Sequence, residues 1–107
     1  MLKHEDIESA VARLVKAAHA PLKVILFGSY ASGTATEGSD IDLLVVETEI
    51  PDIPKEYNRL RGAIGAIGTG VDILLYPLAD FDRRANWQTS PVYDAVRYGK
   101  VMYVHQH

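Results

Sequence analysis

Apolar residues recur along this chain in two ways, at helical spacing in some segments and as short unbroken runs in others. Over residues 5–20, Ile7, Val11, Leu14, Val15 and Ala18 fall on one helical face with charges between them, and Pro21 ends the segment. Residues 22–27 form an apolar run rich in strand formers that stops at Gly28. Residues 28–39, dense in Gly, Ser and Thr, predict a turn, a short helix and a loop. Residues 41–47 are a second strand. Residues 54–67 predict a helix with Pro54 in its first turn and Tyr57, Leu60, Ile64 and Ile67 along one face. A third strand follows over residues 70–76, closed by Pro77, and residues 79–87 fit neither period. Ser90 as N-cap and Pro91 at the first helical position start a helix through Tyr98. Gly99 ends it, and residues 100–104 form a short final strand. This alternation predicts an α/β (α+β) domain with helices packed on a small mixed sheet.

At 107 residues the chain is read as one domain, 1–107, with room for one core. Hydrophobic residues make up 48% and charged residues 23%, the balance of an ordinary globular protein. The longest apolar runs are far shorter than a membrane span, and the N-terminal residues lack the apolar segment of a signal peptide. With no cysteine, disulfides, thiolate zinc sites and cysteine nucleophiles are excluded. Cytoplasmic location is the default expectation. The net charge of −3 argues against a general nucleic-acid-binding face and against direct nucleic-acid contact. Bound divalent cations would offset that charge locally, so a nucleotide site stays open.

Chemistry concentrates at residues 28–42. Gly28 and Ser29 close the first strand, ten residues follow, and Asp40 and Asp42 then enter the second. Residues two apart on a strand share a face, so the two carboxylates converge. Hard oxygen ligands at one spot suit a magnesium ion carried on substrate phosphates. Glycine lets the backbone approach a phosphate, and the Ser29 hydroxyl adds a hydrogen bond. A lone Gly-Ser is more often a strand end followed by a helix cap, and a lone Asp-x-Asp is as often a cap and an exposed strand residue. The two motifs in register shift the balance, because aspartate is disfavoured in strands and Asp42 interrupts an apolar run. Asp72 interrupts the third strand in the same way. With that strand beside the second, Asp72 joins the cluster, completing a clamp for two ions about 3.5–4 Å apart and helping to take a proton from the attacking hydroxyl. Otherwise it is an exposed edge-strand residue.

Gly28-Ser29, the ten-residue spacing, Asp40-x-Asp42 and the later strand aspartate Asp72 resemble the polymerase β-type nucleotidyltransferase superfamily. The segment Ser39-Asp40-Ile41-Asp42-Leu43, the chain's size and the ending Tyr98-Gly99-Lys100-Val101-Met102-Tyr103 resemble its minimal branch, the MntA-type antitoxins paired with HEPN-domain toxins. The resemblance covers nearly the whole chain. It implies two Mg²⁺ ions, ATP as substrate, and transfer of AMP with loss of pyrophosphate. In such pairs the acceptor is a tyrosine hydroxyl of the HEPN toxin, whose RNase activity is blocked, within a hetero-oligomer. By this resemblance Gly28 and Ser29 bind the nucleotide, and Asp40, Asp42 and Asp72 are the catalytic metal ligands. One position departs: Ser32 stands where the family usually has arginine, a forked cation for phosphates or the partner. Either activity is reduced or another cation substitutes, with Arg59, Arg61, Arg83 and Arg84 as candidates. Two rivals remain, an antitoxin that inhibits by occlusion with a vestigial site, and a small-molecule nucleotidyltransferase of the aminoglycoside type.

Other features carry less. Gly62, Gly65 and Gly68 do not match a dinucleotide fingerprint, and a thin helix face for close packing is the better reading. His4, His19, His105 and His107 lack ligand spacing, so no zinc is expected. Trp87, Tyr93, Tyr98 and Tyr103 are read as packing residues rather than a partner-facing patch.

Overall fold

The computed structural model describes residues 2–105; Met1, Gln106 and His107, the last among the histidines set aside above, lie outside them. Nine elements follow in order: α1 (His4–Ala17), β1 (Pro21–Phe27), α2 (Ser29–Ser32), β2 (Ile41–Glu47), α3 (Ile53–Ile64), β3 (Val71–Pro77), α4 (Leu78–Arg84), α5 (Pro91–Tyr98) and β4 (Lys100–Val104). The strands form one mixed sheet in the order β3-β2-β1-β4. β1 lies antiparallel to β2 and β4, while β2 and β3 run parallel through the α3 crossover. The α/β expectation therefore holds, with helices on both faces.

Alternation along β2 divides the interior. Ile41, Leu43 and Val45 face α1 and α3, joining Ile7, Leu14, Leu26, Leu60 and Ile64 in the larger core. Leu44 and Val46 face the other side, where Ile25, Phe81, Val92 and Ala95 complete a smaller core under α4 and α5. Asp42 belongs by parity to this second face, at the end where β2 begins.

Several boundaries differ from the sequence pattern. α1 stops at Ala17 because Ala18 turns extended, and Pro21 opens β1, at whose start it needs no ladder donor. α3 starts at Ile53 on an Asp52 cap whose carboxylate accepts from the Lys55 N–H at 3.1 Å. It ends at Ile64, where Gly65 takes φ 70°, and the Arg13 guanidinium donates to the last-turn carbonyls of Ala63 and Ile64. Ile67 therefore lies beyond the helix, and Tyr57 is exposed rather than on its packed face. The ambiguous stretch resolves into α4. The close-packing reading of Gly62, Gly65 and Gly68 fails, since a Cβ at any of them meets nothing within 4 Å. Packing does demand a glycine at Gly99, where a Cβ would press on Ile25 and on the Leu26 carbonyl at 2.9 Å.

Candidate active site

The end of the sheet where β2 and β3 begin gathers the candidate residues. Asp42 and Asp72 stand directly opposite one another in the parallel register, and Phe27 stands opposite Asp42 on the antiparallel side. β3 is an edge strand, so Asp72 is both the exposed edge residue and a neighbour of Asp42. Asp40 lies just before β2 and is exposed. Its loop is tied to the approach of β3, because the Ile41 N–H donates to the Gly70 carbonyl at 2.9 Å and the Thr69 hydroxyl donates to the Ser39 carbonyl at 2.8 Å.

Two glycines make room for these carboxylates. Gly28 adopts φ 73°, and a Cβ there would collide with Oδ2 of Asp42. At Gly70 a Cβ would collide with Oδ1 of Asp40 and lie 2.9 Å from its Cγ. Each acid thus rests where a side chain is missing. After Gly28 the chain makes one helical turn, with the Ala31 and Ser32 N–H groups donating back to the Gly28 carbonyl at 3.2 and 3.1 Å. Ser29 is half-buried in that turn beside the aspartates' end of the sheet.

The Asp42 carboxyl is held above its ordinary value. Burial is the main cause, followed by the charges of Asp72 and Asp40 and a hydrogen bond with Asp72. A cation at this spot would relieve that repulsion, and the donor set consists of hard carboxylate oxygens suited to Mg²⁺. Among the described residues no three His, Asp or Glu side chains form a ready-made cage for an ion. The fit is therefore an adjacent pair, Asp42 and Asp72, with Asp40 near enough to act on Asp42 by charge.

Of the four candidate cations for the family's arginine position, three are engaged with other side chains, and Arg61 on α3 has a buried guanidinium nitrogen without a hydrogen-bond partner. Arg59 pairs with Glu56 at 3.2 Å, at the opposite end of β2. Arg83 pairs with Asp80, and Arg84 stacks on Tyr76 and Trp87, 5.1 and 5.7 Å from the ring centres. Ser32 is exposed, its hydroxyl 2.8 Å from that of Thr34.

Beside Gly28 opens a cavity of about 540 Å³ walled by Phe27, Gly28, Ser32, Pro91, Asp94 and Tyr98. Another, of about 550 Å³, lies between α1 and β4 among His4, Glu8, Val11, Val15 and Met102, with none of the three aspartates on its wall. Sequence reasoning missed Asp94 and the role of Tyr98 as a wall of the cavity beside Gly28. Their spacing on α5, together with a tyrosine just before a helix-ending glycine, was the available signal. The packing reading also fails for Trp87 and Tyr98, which are 53% and 69% exposed.

The nucleotidyltransferase domain family matches residues 5–99. The chain belongs to that family. Among its relatives, a protein of Methanocaldococcus jannaschii provisionally named protein adenylyltransferase MJ0141 is 39% identical over 56 residues, 52% of this chain and 56% of the relative. A second from the same organism, provisionally named protein adenylyltransferase MJ0604, is 31% identical over 83 residues, 76% of this chain and 77% of its own length. The chain thus spans little more than half of MJ0141. Two solved structures share the fold. One, a toxin-antitoxin with AMP-PNP, superposes with TM-score 0.67 at 24% identity, over 92% of this chain and 74% of that one. The other, a mutant of the toxin-antitoxin MntA-HpeT, gives TM-score 0.68 at 21% identity, over 98% of this chain and 76% of that one. At these identities the likeness speaks for the fold alone.

Proposed function

We propose that residues 1–107 act as one nucleotidyltransferase domain that transfers AMP from ATP to a hydroxyl of a partner protein. The observation that carries this reading is the facing of Asp42 and Asp72 across adjacent strands, with Asp42 resting on the bare backbone of Gly28. The provisional names of the relatives support adenylyl transfer to protein, and the toxin-antitoxin neighbours support a toxin as the acceptor.

In this reading Gly28 and Ser29 receive the triphosphate, Gly28 by its lack of a side chain and Ser29 by its hydroxyl. Asp42 and Asp72, with Asp40 beside them, would hold two Mg²⁺ ions, which would offset the negative charge of the triphosphate and of the pyrophosphate group. Asp72, the most open of the facing pair, orients the acceptor hydroxyl and takes its proton. A bond forms between the acceptor oxygen and the α-phosphorus, the bond from that phosphorus to the oxygen bridging to the β-phosphate breaks, and that oxygen keeps the electron pair as pyrophosphate departs. The acceptor is a tyrosine of a HEPN-type RNase toxin, this chain being its antitoxin in a cytoplasmic hetero-oligomer. Among the described residues no helix is long and apolar enough to cross a membrane.

The test uses ATP labelled at the α-phosphate, Mg²⁺ and the purified chain in lysate of the source cells, with Asp40→Asn/Asp42→Asn as control. One labelled protein band that requires the aspartates supports the reading and identifies the acceptor by mass. Label on an added aminoglycoside instead would favour small-molecule transfer. Absence of aspartate-dependent label, with the double variant still neutralising the toxin in cells, would replace catalysis by occlusion.

A further inference from the structure

The cavity beside Gly28 runs past the phosphate turn toward α5, and its far wall differs in chemistry from the aspartate end. Pro91, Asp94 and Tyr98 fall at positions i, i+3 and i+7 of α5, one helical face, while Val92 and Ala95 on the opposite face are fully buried in the smaller core. Phe27, on the near wall, pairs with Asp42 across β1 and β2, so the cavity and the carboxylates share one sheet face and one end. At about 540 Å³ the space is in the range of small-ligand pockets.

The wall selects among the parts of a nucleotide. Asp94 sets a carboxylate into it, which repels phosphate and accepts hydrogen bonds only from N–H or O–H donors. The triphosphate therefore belongs at the Gly28 end. A nucleoside offers what Asp94 can use, an exocyclic amine and ribose hydroxyls, and its base is a flat surface for an aromatic ring. Tyr98 supplies that ring: it is 69% exposed despite its size, and the Arg97 guanidinium stands 5.8 Å from its centre. A large ring left this open gains most when a flat partner covers it.

We propose that this cavity seats the nucleoside of the nucleotide substrate, with Tyr98 stacking on the base and Asp94 accepting hydrogen bonds from nucleoside donors. The inference rests on the nucleotidyltransferase reading and adds to it where the nucleoside lies and which residues hold it.

Calorimetric titration of the full chain with Mg²⁺ and either AMP-PNP or inorganic tripolyphosphate separates the two. Tyr98→Ala weakens AMP-PNP binding about tenfold, a typical loss for one base-aromatic stack, and leaves tripolyphosphate affinity within about twofold. Tyr98→Phe keeps AMP-PNP affinity, and Asp94→Ala lowers it without lowering that of tripolyphosphate. Both positions are exposed, so the variants fold, which unchanged thermal unfolding checks. Unchanged AMP-PNP affinity in Tyr98→Ala and Asp94→Ala overturns the nucleoside seat while leaving the nucleotidyltransferase reading intact. An equal loss for both ligands also overturns it, because the residues would then serve the phosphates. If the unsubstituted chain binds neither ligand, the proposed function falls and the seat with it.

Discussion

Asp42 enters β2 and Glu47 leaves it, and burial raises the carboxyl of each above its ordinary value, yet their surroundings part completely. Glu47 is 0% exposed, and its Oε1 accepts from the Ala20 N–H at 2.8 Å. Its neighbour Glu56 accepts from the His19 N–H at 2.8 Å and pairs with Arg59. Burial, then a hydrogen bond to Glu56, pushes Glu47 up to about 7. Burial opposes ionisation of Glu56 as well, but the bonds from Glu47 and His19 and the charge of Arg59 outweigh it and hold Glu56 below its ordinary value. Glu47 Oε2, buried without a partner, would be satisfied by a proton directed toward Glu56. At the other end, Asp42 faces two further acids and a bare glycine, with no cation or backbone donor set against it in the site described above.

The lesson is that a raised carboxyl is not by itself a site. Glu47 and Glu56 complete one another and tie the α1–β1 junction to α3. Asp42 and Asp72 are left incomplete and open beside a cavity, which is what a ligand requires.

Substitutions can sharpen the contrast, beginning with the largest effect. Asp42→Asn should lower AMP transfer by at least about 10²-fold, read by labelled-ATP turnover. Because the folded state holds the Asp42 carboxyl above its unfolded value, ionisation costs stability as pH rises, so this variant should also unfold at a higher temperature than the unsubstituted chain in metal-free buffer at neutral pH. A fall in both activity and melting temperature would mean Asp42 is structural. Gly28→Ala should cost about 1–3 kcal/mol in urea unfolding, from positive φ and the collision with Asp42, and should abolish transfer. Glu47→Gln tests the other end. Folded Glu47 keeps its proton to about pH 7, whereas the unfolded chain releases it near 4.5, so its stabilisation is complete below 4.5 and is lost as pH rises to about 7. The difference in urea stability between variant and unsubstituted chain should therefore grow across that window by about 1–3 kcal/mol in favour of the variant, with transfer unchanged. The smallest effect is expected of Ser32→Arg, which points a cation into the cavity and should tighten tripolyphosphate binding about two- to fivefold, by calorimetry.

The contrast was half legible in the chain. Asp42 and Asp72 stand out because each breaks an apolar strand, and strand parity places them on one face. Glu47 gave no such sign, since an acid at a strand's end is ordinary, and its partner Glu56 comes from a helix whose docking no local pattern specifies. The sheet's helices were legible from period and caps, but α1 and α3 ended a turn early where Ala18 turned extended and Gly65 reversed the chain. Tyr98 and Asp94 were missed because apolar-core reasoning assigns a helix face by its buried side, and theirs is the side that faces the cavity.

The most direct test follows Mn²⁺ by electron paramagnetic resonance in the presence of AMP-PNP, for the unsubstituted chain, Asp42→Asn/Asp72→Asn and Glu47→Gln. The account predicts that the aspartate variant loses the protein-bound Mn²⁺ signal while Glu47→Gln retains it. Equal Mn²⁺ binding by the aspartate variant and the unsubstituted chain would contradict it.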